Sequence, residues 1–465
     1  MRPRARWKEE WVTPRGGTPS TAQLWDDLRA SWAIEPAILI EQISFLLALK
    51  RLTREGNPPL AWRGRTLRWD RLSSMTNREL VTRLGDELIP FVSASMPPSI
   101  RPTMKEARFA FEDPKLLKSC LWRIDQVDAA SEGRFFEGLL AQLDGGDRQL
   151  TRTPPAVAAA MVDLVEPRPG DSICDPAAGS GGLLLEAAKR AGPQPGVPGA
   201  KLHGFDINPG KARLAAFNLM FHDVADPRIE QADVLASDFN PSKFDVVLCA
   251  PPFGGTRGDE EVDADLVEAG NRTELLYLER CRKMQRGNAA ILLPEAVLFG
   301  RSGKFVRARR EWLQRRLVTG VVLLPPGLLG FTNIRSAILV ASYGGTTEEV
   351  WFCPLADKSG PGAGGKRADV QSRLECVAEA FRSRLRGEEP RRPEAVELAT
   401  DMFSAPIEKI KDNNWSLAPG FYRDAEVPET QENPRELLQE IEAVESEIDR
   451  LLTDAGRLLA EPEPE

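Results

Sequence analysis

Residues 172–182 read SICDPAAGSGG, and the fold turns on them. A short apolar run ends in Asp175, a proline follows, and Gly179, Gly181 and Gly182 lead into LLLEAAKR, a helix-forming stretch. The pattern predicts a strand, a tight turn and a helix. Glycines at such a turn let a ligand approach the backbone, and the helix start offers free N–H groups. The same turn also serves as a plain connection in any doubly wound sheet. The acid narrows the reading, because a carboxylate at the strand end suits an amino group and disfavours a phosphate.

Downstream, apolar runs alternate with helix-like stretches. The runs are KLHGFDI (201–207), FDVVLCA (244–250), AAILLP (289–294), TGVVLLP (319–325) and SAILVAS (336–342), with helices expected between, as at 182–191 and 209–222. This βαβ texture implies an α/β fold, a parallel sheet with helices on both faces. The chain is long enough for seven strands. The second run ends in GFDIN, so Asp206 stands where a ribose diol is usually held. Beyond the next helix, QADVL places Asp233 near another strand end. Three acids at successive strand ends outline one nucleoside-sized crevice.

The run at 244–250 leads into APPFGG. Pro251 and Pro252 remove two backbone donors and hold the chain extended. Phe253 is thereby expected at the sheet's carboxyl edge, where an aromatic ring suits stacking on a planar base. A structural Pro-Pro turn with a buried Phe is the alternative.

Upstream, seven of the ten tryptophans lie in the first 150 residues, and PAILIEQISFLLALKRL (36–52) is too densely apolar for a surface helix. Residues 1–145 therefore read as a helical N-terminal domain with a ring-rich core, its first helix starting near Ser20 or Thr21. Residues 354–372, rich in Gly, Ala and charge, read as an exposed loop. At the other end Leu437, Ile441, Val444, Ile448, Leu451, Ala455 and Leu458 form a seam spaced four and three. That is a heptad pattern for a coiled coil, a partner-docking helix, or a helix packed on its own domain.

Composition sets outer limits. The 465 residues are 42% hydrophobic and 28% charged, with no apolar run near the ~18 residues of a membrane span. The N-terminus MRPRARWKEEW lacks the apolar core of a secretory signal, and six scattered cysteines show no zinc spacing. Reduced thiols in the cytoplasm are expected, with no metal and no membrane. Only two histidines exist, which weighs against histidine-based catalysis. The net charge of −8 argues against nucleic acid only until it is divided. Residues 424–465 hold fourteen Asp/Glu and three Arg, so the other 423 residues carry +3. A basic run, RSGKFVRARREWLQRR (301–316), has seven Lys/Arg against one Glu, and suits either DNA phosphates or a solvated helix face.

Taken in order, DPAAGSGG, GFDINP, ADVL and PPFGG resemble the adenine-N6 DNA methyltransferases of the γ class. The resemblance is to the modification (M) subunit of type I restriction–modification systems. It continues in NRTELLYLERCRKMQRGNAAILLPEAVLFGRSGK (271–304), VVLLPPGLLGFTNIRSAILV (321–340) and NNWSLAPGFY (413–422), and covers roughly 145–460. It implies a Rossmann-like S-adenosylmethionine-dependent methyltransferase with a helical N-terminal domain and a coiled-coil-like C-terminal helix. The expected divisions are 1–145 for the helical part and 146–352 for the methyltransferase. A loop and extension would follow at 353–425, then an acidic docking helix at 426–465. By the same resemblance Asp175, Gly179 and Gly181 would line the cofactor site, Asp206 would hold its ribose, and Asp233 would meet its adenine. Thr153 would end the substrate-gate motif, and Phe253 would stack on an adenine flipped out of DNA.

Two departures stand out. The family's tetrapeptide begins with Asn, Asp or Ser, whereas here the catalytic positions are Ala250, Pro251, Pro252 and Phe253. Alanine offers no side-chain acceptor. The gate usually carries aromatics before Thr-Pro, and here Thr151 and Arg152 stand there. The expected function is thus an adenine-specific DNA methyltransferase subunit, or a degenerate, non-catalytic binding paralogue of one. Methylation of RNA or protein is a third reading. No segment after 254 is large enough to read bases, so specificity would come from a separate subunit docked on 426–465. A restriction subunit or a second M-like subunit would be further partners.

Overall fold

The computed structural model describes residues 25, 35–54, 60–62, 64–143, 152–330, 332–344, 346–355 and 367–423. The chain divides into two units, Met1–Pro419 and Gly420–Glu465. In the second, residues 420–423 are described, and the rings of Phe421 and Tyr422 lie 6.2 Å apart. The heptad seam, the basic residues of the N-terminus and the helix start near Ser20 lie outside the described residues.

The first unit begins with helices α1 (Pro36–Leu52), α2 (Asn77–Ser95), α3 (Pro114–Asp125) and α4 (Glu132–Leu140). Every residue of α1 from Leu39 to Leu49 is buried. A helix apolar on all faces is a central helix, and α1 packs on α2, α3 and α4. Thr76 caps α2 by accepting from the Glu79 N–H, and Asp113 caps α3 by accepting from Lys115. A two-stranded hairpin, Leu60–Trp62 with Arg65–Leu67, interrupts the helices. Of the described tryptophans in the first 150 residues, Trp25 and Trp69 are buried, and Trp69 donates its indole N–H to Asp125 at 2.8 Å.

Nine strands form the main sheet. In chain order they are β1 (Ser172–Asp175), β2 (Lys201–Asp206), β3 (Arg228–Gln231), β4 (Phe244–Cys249), β5 (Gln285–Pro294), β6 (Val318–Leu323), β7 (Ser336–Ser342), β8 (Glu349–Pro354) and β9 (Phe403–Pro406). Across the sheet they run β3-β2-β1-β4-β5-β7-β6-β8-β9. The six runs expected from sequence are all strands. The central ones are apolar on both faces because helices cover both sides. The expected parallel sheet holds for β1–β5, whereas β7 runs antiparallel to β5 and β6. The reason is the twelve-residue link between β6 and β7, which has no helix among its described residues and turns the chain back instead of crossing over.

The helices that flank the sheet are α5 (Pro155–Val165), which leads into β1, and the crossover helices α6 (Gly182–Arg190), α7 (Pro209–Phe221), α8 (Thr273–Met284) and α9 (Gly303–Gln314). Helix α7 packs on both the sheet and α1, and its Arg213 forms a buried ion pair with Glu41 of α1 while donating to the Thr103 carbonyl at 3.1 Å. The helical part and the sheet thus share one core.

The segment 353–425 is not simply loop. Residues 367–372, expected as loop, begin helix α10 (Arg367–Arg386), which is followed by α11 (Pro393–Asp401) and the edge strand β9. Leu374, Val377, Ala378 and Phe381 bury one face of α10 at helical spacing. The Phe381 ring lies where a side chain at Gly320 would point, so α10 is clamped onto β6. Residues 356–366 lie outside the described set. Among the described residues no helix is long and apolar enough to cross a membrane.

Candidate active site

Strands β1, β2, β3, β4 and β5 run parallel, so their carboxyl ends share one edge. The strand order reverses between β1 and β4, and ligands of open α/β sheets bind in the crevice at such a point. Asp175 ends β1 and Ala250 follows β4, placing them on either side of it. Helix α5 runs back toward the opposite edge, where Asn288 of β5 donates to the Val165 carbonyl at 3.1 Å. Thr153, just before α5, therefore lies at the carboxyl edge with the acids.

The glycine turn is built from two left-handed residues, Gly179 (φ 54°) and Gly181 (φ 78°). A Cβ at Gly181 would stand 3.2 Å from Ala215 of α7, so glycine also lets α6 and α7 approach. Ala178 donates its N–H to the Phe205 carbonyl at 2.9 Å, which ties the turn to β2.

The carboxylates differ in environment. Asp175 is fully buried, with one oxygen accepting the Ala177 N–H at 3.0 Å. Burial pushes its carboxyl up to about 7; the Ala177 bond opposes this and Asp206 adds to it. Asp206 accepts the Gly179 N–H at 3.0 Å on one oxygen and the Asn208 N–H at 2.8 Å on the other. Burial raises its carboxyl above the ordinary range. A carboxylate has about four lone-pair sites, so two remain for two donors such as a vicinal diol. Ile207, the next residue, is 51% exposed and offers an apolar wall.

Asp233 lies two residues beyond β3. One oxygen accepts the Leu235 N–H at 3.0 Å and the other pairs with Arg257 Nη2 at 2.7 Å. Arg257 also reaches Glu261 at 3.1 Å. Arg257 lies just past the PPFGG turn, so this pair ties the loop after β4 to the acid after β3. Sequence reading missed Arg257, because nothing in the spacing of 24 residues marks the contact. It also missed Tyr277 near the start of α8, whose phenol is pushed well up by burial, with Cys249, Asp206 and Asp233 as neighbouring groups.

In the tetrapeptide, Pro251 is buried, Pro252 is exposed, and Ala250 and Phe253 are half-buried against the core. The Phe253 ring is thus seated at the edge, neither sunk in the interior nor standing fully in solvent. The arrangement offers a cradle of backbone N–H groups, two buried acids, a rigid turn and an aromatic ring. That set suits a cationic nucleoside beside a second planar base. All six cysteines are free and buried, and none faces the crevice as an exposed nucleophile.

The N-6 DNA methylase family model matches residues 132–432. The chain is 28% identical over 313 residues to the methylase subunit of the type I restriction enzyme EcoEI of Escherichia coli, covering 59% of this chain and 63% of that protein. It is 24% identical over 444 residues to the StySJI methylase subunit of Salmonella typhimurium, covering 84% and 80%. The chain thus spans just under two thirds of the first relative and more of the second. In fold it is similar to a chain from a type I R-M assembly, with a TM-score of 0.68 at 22% identity over 94% of this chain and 97% of that one.

Proposed function

The chain belongs to the N-6 DNA methylase family, and from that premise we propose that it is the modification subunit of a type I-like restriction–modification or phage-defence system. It uses S-adenosylmethionine to methylate adenine N6 in DNA, and takes its sequence specificity from a separate subunit. The observation that carries this reading is the buried Asp206, whose two oxygens hold the glycine turn and the start of α7 while keeping acceptors for a ribose.

In this reading Asp175 takes the cofactor's amino group, and Gly179 and Gly181 leave its backbone approach open. Ile207 lies along the adenine ring, with Asp233 at the ring's edge. Thr153 borders the methionine end. Phe253 stacks on the flipped target base, and Pro251 and Pro252 hold the turn that carries it. S-adenosylmethionine supplies an electrophilic methyl group when bound. The protein's share is to desolvate and align the amino nitrogen with it. The relatives named above are methylase subunits of restriction enzymes, and this supports DNA as the substrate and a specificity subunit as partner. The heptad seam at 426–465 is the docking element in this reading, and six buried free thiols suit the cytoplasm.

Ala250 favours a second reading, a binding subunit whose chemistry is lost, since the position has no side-chain acceptor. Transfer of labelled methyl from S-adenosylmethionine to adenine, measured with the cognate specificity subunit and its DNA, separates the two. Slow but template-dependent transfer is the expected result. No transfer over many hours with cofactor and DNA both bound leaves the binding-subunit reading.

Asp175 gives the cofactor step a pH dependence. With its carboxyl raised to about 7, the group is largely protonated at pH 6 in the free protein. A cationic ligand favours the ionised form, so binding releases a proton. Affinity is expected to rise by up to roughly tenfold per pH unit below 7 and to level off above it. The ligand-free fold responds with the opposite sign. The native state keeps a proton that the unfolded chain loses near pH 4, so this contribution to stability falls as pH rises from about 4 through 7. Calorimetry at pH 6, 7 and 8 checks the first effect, and Asp175→Asn should flatten both. An unchanged pH profile in that variant would remove Asp175 from the amino-group role.

A further inference from the structure

The basic run at 301–316 separates in the structure into cations with different work. Arg309 is buried and donates to the carbonyls of Trp415 (2.7 Å), Val297 (2.8 Å) and Gly300 (2.9 Å), so it is an internal brace. Arg316 pairs with Glu348 ahead of β8, and Arg315 with Glu311 on its own helix at 3.5 Å. The remaining four, Arg301, Lys304, Arg307 and Arg310, are exposed and recur every three residues.

These four line two adjoining hollows that share Gly303 and Arg307. One also includes Val267, Glu268 and Gly270, and the other reaches Asn414. Among the lining side chains the single carboxylate is Glu268, which pairs with Arg307. The topology fixes where this row lies. Helix α9 leaves β5 at the carboxyl edge and returns to the opposite edge to start β6, so its first turns stand at the edge that carries the crevice and its last turn does not. Strands β4 and β5 are neighbours, roughly 4.8 Å apart. The wall facing the row, Val267–Gly270, belongs to the segment that follows the APPF turn, and Lys304 reaches Asn271 of that segment at 3.2 Å.

A row of cations beside an edge pocket fits an extended polyanion. Lys304 to Arg310 spans about 9 Å of helix, and Arg301 extends the row ahead of the helix start; this is close to the ~10 Å of axial length across four successive phosphates on one DNA strand at ~3.4 Å per step. A globular acidic partner would not require a repeated row, and a small anion would need one or two of these cations rather than four. We propose that Arg301, Lys304, Arg307 and Arg310 form the rail along which the backbone of duplex DNA runs past the catalytic edge. This rests on the DNA-methyltransferase reading above, and it names the surface that presents the duplex to the site.

The test uses the full chain and a triple variant, Arg301→Gln/Lys304→Gln/Arg310→Gln. Its control removes equal charge at the opposite edge: Lys201→Gln/Lys243→Gln/Arg315→Gln. Fluorescence anisotropy with a 30-base-pair duplex across a salt series gives affinity and its salt slope. The rail variant is expected to lose about three from the slope and about tenfold or more in affinity, with the control at wild-type values. Equal slopes in rail variant and wild type overturn the proposal, as does an equal loss in the control, or a wild-type chain that shows no salt-dependent duplex binding. Thermal unfolding of each variant excludes misfolding as the cause. Cofactor calorimetry on the same samples keeps the two readings apart. Absent cofactor binding in all three proteins counts against the methyltransferase reading, and the rail stands or falls on the salt slopes alone.

Discussion

Asp206→Ala is expected to reduce binding of S-adenosylmethionine by at least about 10²-fold while the chain stays folded. Asp206 does two jobs at once. It accepts the Gly179 and Asn208 N–H groups, one per oxygen, and so fixes the cradle and the start of α7. Its remaining lone pairs are the acceptors assigned to the ribose. Hydrogen bonds to a charged acceptor contribute about 1.5–3 kcal/mol each, so losing two corresponds to about 10²–10⁴-fold in affinity. Folding loses less, because water in an open crevice can meet the two freed N–H groups. Asp206→Asn is the sharper variant. Its single carbonyl oxygen cannot serve both N–H groups and a diol, and its amide N–H₂ faces a donor. It should weaken binding nearly as much as alanine while changing little in volume. Calorimetry decides the matter: an affinity within threefold of wild type in both variants would discard the ribose assignment.

The sheet and its ligand edge were legible in the sequence because their causes are local. Strands such as 244–249 and 336–342 are continuous apolar runs, and SICDPAAGSGG carries its own turn chemistry. Asp206 was legible for the same reason, standing at the end of one such run. Strand direction was not, since β7 is the same apolar run read in either sense and only the short link before it turns the chain back. Helix α10 was hidden by the Gly- and Lys-rich residues ahead of it, although Leu374, Val377, Ala378 and Phe381 already show its period. Side-chain partners were the least legible. Arg309 sits in a run that reads as uniformly basic, yet three buried carbonyls hold it inside. Arg257 meets Asp233 only because the loop after β4 folds over the end of β3. Charge and spacing along a chain do not encode contacts made across a sheet edge.

The largest kinetic effect is expected from Ala250→Asn. Ala250 follows the buried Cys249 and precedes the buried Pro251, so the backbone on both sides is held. Pro251 and Pro252 fix their own φ angles, and Gly254 takes up the turn at φ 80°. An asparagine at 250 would inherit this pre-set geometry and add the one group the turn lacks, a side-chain oxygen able to accept from the target amino group. As the nitrogen attacks, positive charge grows on that amino group, and a preformed acceptor stabilises it more in the transition state than in the ground state. Restoring one such group is worth about 10²–10³ in rate. The expectation is therefore a 10²–10³-fold faster single-turnover methyl transfer, with cofactor affinity and the salt slope of DNA binding unchanged. Because the effect is confined to the chemical step, rapid-quench measurement at saturating cofactor and DNA isolates it. A wild-type chain already as fast as the variant would mean that Ala250 is no defect. A variant that binds both ligands and still transfers no faster would move the fault to the other end of the cofactor, where Thr151 and Arg152 precede Thr153 in place of the family's aromatic residues.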